Sequence, residues 1–192
     1  MGLASQELLL QNATAENSMI DPTAREVHIS EAIAAFDRIA PDPRSGLPDE
    51  VFYYISRTTP LVNLDLLIKD ERGRTLLAWR TDRFCGTGWH VPGGIVRFKE
   101  SFEERARKIA VMEIGTALKI DMTPIAVSEI ITPTSECDMR GHFISILLRS
   151  YLTSSFVPTN LSMSANDPGY LKWHNECPDN LIEPQEVYRN LI

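Results

Sequence analysis

Cysteine is scarce in this sequence: Cys85, Cys137 and Cys177 are the three among 192 residues. An odd number at such wide spacing builds neither a disulfide framework nor a zinc site, and it fits reduced thiols in a cytoplasmic protein. Basic residues are in deficit too. Nineteen Lys and Arg stand against 26 Asp and Glu, a formal net charge of −7, which argues against a nucleic-acid backbone as partner. A few local cations still suffice to capture a small anion. Long apolar runs are absent, so no membrane span is expected. The opening MGLASQELLLQNATAENSMI lacks a basic n-region, its apolar run at 8–10 is too short for a signal peptide, and Gln6 breaks the myristoylation pattern. What is present, 43% hydrophobic and 23% charged residues, is enough to bury the core of one globular domain.

The first twenty or so residues are polar and are expected to be loosely ordered. DPTAREVHISEAIAAFDRIA reads as an amphipathic helix: Val27, Ala32, Ile33, Phe36 and Ile39 form an apolar stripe, and Asp21 with Pro22 is a start signal. PDPRSGLPDE, with three prolines and a glycine, reads as a linker. The organisation expected is therefore an N-terminal extension, 1–46, followed by the main domain, 47–192. TPLVNLDLLIKDERGRTLLAWRT reads as two strands joined by a turn at 70–73. Val62, Leu64, Leu66 and Ile68 share one apolar face. Asp65 falls on the other, mixed face, where spacing leaves a solvated strand residue and a functional one equally open. Further strands are expected at IAVSEIIT, HFISILLRSYL and YLKW, a loop at LSMSANDPGY, and a closing helix at EPQEVYRNLI. The order of elements is irregular, which predicts an α+β domain with a mixed sheet between helices, an α/β/α sandwich. No internal repeat is present.

A charged helix is expected over 101–115. Ser101 is a candidate N-cap, with Glu104 placed for a capping box, and Gly115 is a natural stop. Glu103–Arg107 and Glu104–Lys108 are i,i+4 pairs in the favourable order. At 100° per residue, Phe102, Ala106, Ile109 and Glu113 fall in one narrow arc. Glu113 thus takes a core-facing position in the last turn, where the helix dipole opposes a negative charge. A bound cation or an arginine would compensate it; alternatively it reaches solvent at the edge of the stripe. Gly93 and Gly94, just upstream, allow close backbone approach to a ligand. With the inward carboxylate they can hold Mg²⁺ through hard oxygen ligands.

These residues resemble the Nudix box, G-x5-E-x7-R-E-U-x-E-E-x-G-U. Gly94, Glu100, Glu113 and Gly115 match it; Lys108 replaces the arginine, and Ile109 and Met112 stand where two glutamates usually are. One branch of the family, the GDP-mannose mannosyl hydrolases, is similar in that loss. SRTTPLVNLDLLIKDERGRTLLAWRTDRF and GWHVPGG resemble that branch almost position by position. The resemblance implies a Mg²⁺-dependent (or Mn²⁺-dependent) enzyme that cleaves the carbon–oxygen bond of a nucleoside-diphosphate sugar. It implies that Glu113 and the Gly93 carbonyl bind the metal, that Arg80 contacts the diphosphate, and that Phe52 stacks on the base across a homodimer interface. It implies that Asp65 lies near the sugar or the nucleotide. Lys108 keeps the charge of the box arginine. Phe143 stands where the branch has a tyrosine near the leaving diphosphate, and Ile95 where it has a phosphate-binding arginine. The late loop SMSANDPGY lacks the branch's histidine; Asn166 or Asp167 stands in its place, and Asp167 is the candidate base if it is positioned against the attacking water. A Nudix pyrophosphatase and a non-catalytic Nudix-fold nucleotide-binding module are the alternatives. For His90, His142 and His174 the favoured expectation is a structural or surface role.

Overall fold

The computed structural model describes residues 22–132 and 141–192, with side chains from residue 26 onward. The expectations for the first twenty residues, for Asp21 and for Cys137 fall outside the described residues. The chain divides into two compact units, one ending at Pro48 and the other running Asp49–Ile192. The first carries helix α1, Pro22–Ile39. In its proline-rich end, one 3₁₀ turn, Pro43–Ser45, is capped by Asp42, whose carboxylate accepts the Arg44 N–H at 3.1 Å. Among the described residues no helix is long and apolar enough to cross a membrane.

The second unit opens with α2, Asp49–Ser56, a short helix whose first two residues overlap the stretch that the prolines mark as linker. A mixed sheet comes next: β1 Leu61–Lys69, β2 Thr75–Asp82, β3 Gly86–His90, β4 Gly93–Ile95, β5 Lys119–Ile131, β6 His142–Tyr151 and β7 Leu171–His174. The main order is β3-β2-β1-β6-β5, and β1 runs parallel to β6. Helix α3, Phe102–Ile109, lies on one face and a 3₁₀ helix, Glu183–Leu191, on the other. The α+β sandwich expected from the element order is the observed class.

The alternation in β1 explains both cores. Leu64, Leu66 and Ile68 pack with Leu76, Ala106, Ile109 and Ile114 on the α3 side. Leu67 joins Leu77, Trp79, Trp89, Leu147 and Tyr188 on the other. Each fully buried aliphatic side chain contributes about 1.5–3 kcal/mol. Phe102, expected in the buried stripe, is instead exposed, at 42%. It sits in the first turn, beyond the edge of the sheet core that begins with Ala106 and Ile109.

One departure from a regular sheet builds the site. β2 pairs with β1 only at Leu76 and Thr75, then diverges. The segment from β3 to β4 fills the fork. β3 continues β2's edge through Ala78↔His90 and Arg80↔Gly88, while β4 continues β1's edge through Asn63↔Ile95 and Asp65↔Gly93. The connection between them, Val91–Pro92, is clamped from the C-terminal segment. Gln185 accepts the Val91 N–H at 2.6 Å and donates to the Val91 carbonyl at 3.1 Å. Replacing Gln185 by Leu leaves the buried Val91 N–H without a partner and removes one of the two donors to the Val91 carbonyl, which keeps His90 Nδ1. The expected loss, read from urea unfolding, is about 1–3 kcal/mol. A change below about 0.5 kcal/mol would show that the clamp is dispensable.

Candidate active site

Helix α3 begins as the sequence predicts. The Ser101 hydroxyl accepts the Glu104 N–H at 3.2 Å, and Glu104 returns a bond from the Ser101 N–H at 2.8 Å. Arg107 pairs with Glu103 at 2.5 Å. The expected Glu104–Lys108 pair does not form, because Glu104 Oε2 is committed to Ser101. Lys108 reaches Glu100 instead, at 2.7 Å, where Arg105 also binds at 2.7 Å and the Arg97 N–H at 2.9 Å. Burial of Glu100 opposes its ionisation, but Lys108, the Arg97 amide and Arg105 outweigh it and hold the carboxyl at about 2. Glu100 is thus an ionised staple between the glycine turn and α3, and Lys108 is engaged there rather than on the cleft wall.

After Ile109 the helix widens into one π turn, Ala110–Ile114, closed by Gly115 in the left-handed region at φ 78°. A π turn carries an extra residue and shifts the helical phase of the residues beyond it. Ile109 remains in the core while Val111 and Met112 turn outward, Met112 being 79% exposed. Neither position where the box carries further acids offers a ligand. Glu113 is half-buried and turned towards the fork, where the Gly93 amide stabilises its carboxylate. Burial and then the neighbouring charge of Asp65 raise its pKa to about 7, against the pull of the Gly93 amide, Arg80 and Arg105.

Asp65 is buried at 1% exposure, which excludes a solvated strand residue. It accepts from Ser145 Oγ at 2.5 Å, Tyr188 Oη at 2.9 Å and Asn63 Nδ2 at 2.7 Å. Burial nonetheless lifts its pKa to about 6, those three donors opposing. Both oxygens are in use, so in this structure the carboxylate serves to fix its surroundings. It lies across Gly93, where a Cβ would overlap Oδ1.

The fork opens into a cleft of about 870 Å³ between β2, the π turn and the loop at 159–169. Arg80, His90, Gly93 and Glu113 line it, with Thr159, Met163 and Pro168 on the loop side. Arg80 also borders a smaller cavity of about 60 Å³ with Asn63, Asp65, Cys85 and Phe143. Its guanidinium is paired with Asp82, which in turn accepts the Phe84 and Cys85 N–H groups, each at 2.8 Å. Arg80, Gly93 and Glu113 therefore meet in one cleft, and Asp65 and Phe143 adjoin it through the smaller cavity. Phe52 does not line either cavity; its ring lies 6.0 Å from Tyr53 on α2. Asp167 is exposed and accepts the Ser164 N–H at 2.7 Å, a turn bond, while its neighbours Pro168 and Gly169 line the cleft. His90 is the cleft residue that sequence reasoning passes over. Its position between Trp89 and Val91, in a strand whose alternation is only three residues long, is the available signal.

The donor set suits Mg²⁺, a hard cation content with one or two carboxylates plus substrate phosphates. The register supplies the second oxygen. Leu66 N–H bonds to the Pro92 carbonyl and Val96 N–H to the Val62 carbonyl, so Asp65 and Gly93 form a non-hydrogen-bonded pair. Both polar groups of Gly93 then point away from β1, and its carbonyl projects to the side where its N–H meets Glu113. Among the described residues no three His, Cys, Asp or Glu side chains form a metal-binding group, so a cation here would draw on Glu113, a backbone oxygen and the substrate.

Comparison with known proteins agrees with this geometry. The chain is 33% identical over 82 residues to the low-salt glycan biosynthesis protein Agl8 of Haloferax volcanii, covering 43% of this chain and 52% of that one, so the match spans about half of the relative's length. The fold is similar to a possible asymmetric diadenosine tetraphosphate hydrolase from Jonesia denitrificans, with a TM-score of 0.51 and 17% identity over 68% of this chain and 90% of that one. The NUDIX domain model matches residues 59–186, well over half the length. A match of that extent shows that the chain belongs to the Nudix hydrolase family.

Proposed function

We propose that this Nudix hydrolase acts on a nucleoside-diphosphate sugar and, like the GDP-mannose mannosyl hydrolases, cleaves the carbon–oxygen bond to release a nucleoside diphosphate and free sugar. The observation that carries the proposal is the solitary state of Glu113. The two other acid positions of the box hold Ile109, buried in the core, and Met112, an exposed thioether on the cleft wall with no oxygen to offer a hard cation. A single carboxylate with a backbone oxygen suits one Mg²⁺ that neutralises a departing diphosphate better than a cluster serving attack at phosphorus. The similarity to a glycan biosynthesis protein supports a sugar-bearing substrate.

In this reading Glu113 and the Gly93 carbonyl hold Mg²⁺, which supplies charge for the leaving group. Arg80, oriented by Asp82, binds the diphosphate from the opposite wall. Asp65 and Phe143 border the smaller cavity next to Arg80, and Asp65 keeps Gly93 in place. The loop bearing Asp167 covers the sugar end, and Asp167 acts as base once its turn bond to Ser164 opens. Phe52 lies outside the cleft of its own chain, so a base stack through it requires a second copy, the homodimer that the resemblance implies.

Product identity tests the proposal. Incubation of the protein with GDP-mannose and Mg²⁺ is expected to yield GDP and mannose, separable by anion-exchange chromatography. GMP with mannose 1-phosphate would replace this reading by a pyrophosphatase. Binding without turnover across a panel of nucleotide sugars would leave a recognition module.

A further inference from the structure

His90 has no part in the chemistry above, yet it stands in the cleft wall beside Arg80. It pairs with Ala78 across β2 and β3, so its ring is on the sheet face that carries Ala78 and Arg80. Nδ1 lies 3.0 Å from the carbonyl oxygen of Val91. A carbonyl only accepts, so Nδ1 carries the hydrogen. Burial and then the adjacent Arg80 depress the ring's pKa to about 4, so it is neutral at physiological pH. Nε2 is therefore a bare lone pair, and among the described residues no protein donor is hydrogen-bonded to it.

A bare acceptor discriminates between the two ends of a nucleotide sugar. Diphosphate oxygens are acceptors at neutral pH and gain nothing from Nε2, whereas they match the Arg80 guanidinium. Hydroxyl groups can donate to Nε2. The wall thus has a donor position and an acceptor position, and a substrate lying between them is oriented.

We propose that His90 is a specificity-determining residue whose Nε2 accepts a hydrogen bond from a hydroxyl of the substrate's sugar. The inference rests on the nucleotide-sugar reading of the cleft. It names a contact that depends on a histidine at this position, not on the box.

The test is calorimetric titration of the whole protein, with Ca²⁺ replacing Mg²⁺ to slow turnover. The probes are GDP-mannose, UDP-glucose and ADP-ribose, each beside its parent GDP, UDP or ADP. The wild-type protein is expected to bind one of the sugars about tenfold more tightly than its parent. His90→Phe should lose that increment while its affinity for the parent diphosphate is unchanged. His90→Gln, whose amide oxygen can accept, should keep part of it. Thermal melts of both variants check folding. A parallel fall in both affinities in the two variants would make His90 structural or a base contact and overturn the proposal. An increment that survives in His90→Phe, or one missing from the wild-type protein, would overturn it as well while leaving nucleotide binding intact. Absence of any nucleotide binding would sink the functional reading and this inference together.

Discussion

Glu113→Gln is expected to lower Mg²⁺-dependent turnover by roughly 10²–10³-fold and, without metal, to make the protein more stable at pH 8. The two effects have one origin. The Glu113 carboxyl is raised from 4.5 to about 7, first by burial and then by Asp65. A carboxyl with a raised native pKa holds its proton more tightly in the folded chain than in the unfolded one. Metal-free wild-type protein therefore loses stability as pH rises from about 4.5 through about 7, and the loss is complete above that. Asp65, lifted from 3.8 to about 6, adds to the same slope. Glu100 acts with opposite sign further down: held at about 2, it contributes stability that disappears as pH falls below 4.5. The glutamine variant removes only the upper part of the slope. Its melting temperature at pH 8 in EDTA should exceed that of the wild-type protein by on the order of 5 °C. Mg²⁺ should raise the wild-type melting temperature at pH 8 and leave the variant unmoved. Thermal melts from pH 4.5 to 8 with and without Mg²⁺ read all of this. Identical slopes in the two proteins would mean that Glu113 is not the uncompensated carboxylate described, and unchanged turnover would remove it from the metal site.

The parts of this site that the sequence makes legible are local ones. The capping box at Ser101 and the stop at Gly115 rest on residues three to five apart in chain or on one φ angle, and both appear where expected. The β1–β2 hairpin arises from alternation and the turn around Gly73. Elsewhere the deciding contact is distant. Whether Asp65's face of β1 is wet or dry depends on Tyr188, which covers it from 123 positions away. Alternation assigns a face but does not say what lies on it. The partner of Lys108 turns on which acid the capping box has already engaged. The π turn has no sequence signature at all. It comes from the need to keep Ile109 and Ile114 in the same core while aiming Glu113 at the fork. The helix α2 is hidden by the prolines and glycine around it, which announce a break more loudly than DEVFYYIS announces eight helical residues.

Gly93→Ala should damage both the fold and the site, and its neighbour shows why. A Cβ on Gly94 would meet Ile109 Cγ1 at 3.6 Å and Arg105 at 3.7 Å, ordinary packing distances. A Cβ on Gly93 would overlap Asp65 Oδ1 and stand 2.9 Å from the Leu64 carbonyl oxygen. The first obstacle is a side chain, but one pinned by three donors; the second is backbone in the middle of β1. Relief requires β4 to move away from β1, which carries the Gly93 N–H and carbonyl off Glu113. Overpacking of this kind costs about 1–3 kcal/mol, and the melting temperature should fall by on the order of 5 °C. Mg²⁺-dependent activity should fall by about 10²-fold or more, since displacement by an ångström at a site of this kind has that effect. Gly94→Ala should stay within about 1 °C of the wild-type melting temperature. Asp65→Ala separates the two obstacles. Alone it destabilises by leaving the Tyr188 and Ser145 hydroxyls without their acceptor. In Gly93→Ala/Asp65→Ala the overlap with Oδ1 is gone and the tight approach to Leu64 O remains. The double variant should therefore be more stable than the sum of the single losses by about 1 kcal/mol, measured from urea unfolding at pH 7. Strict additivity would mean that Asp65 does not hold Gly93 in place, and the fork would then owe its geometry to the Gln185 clamp on Val91 alone.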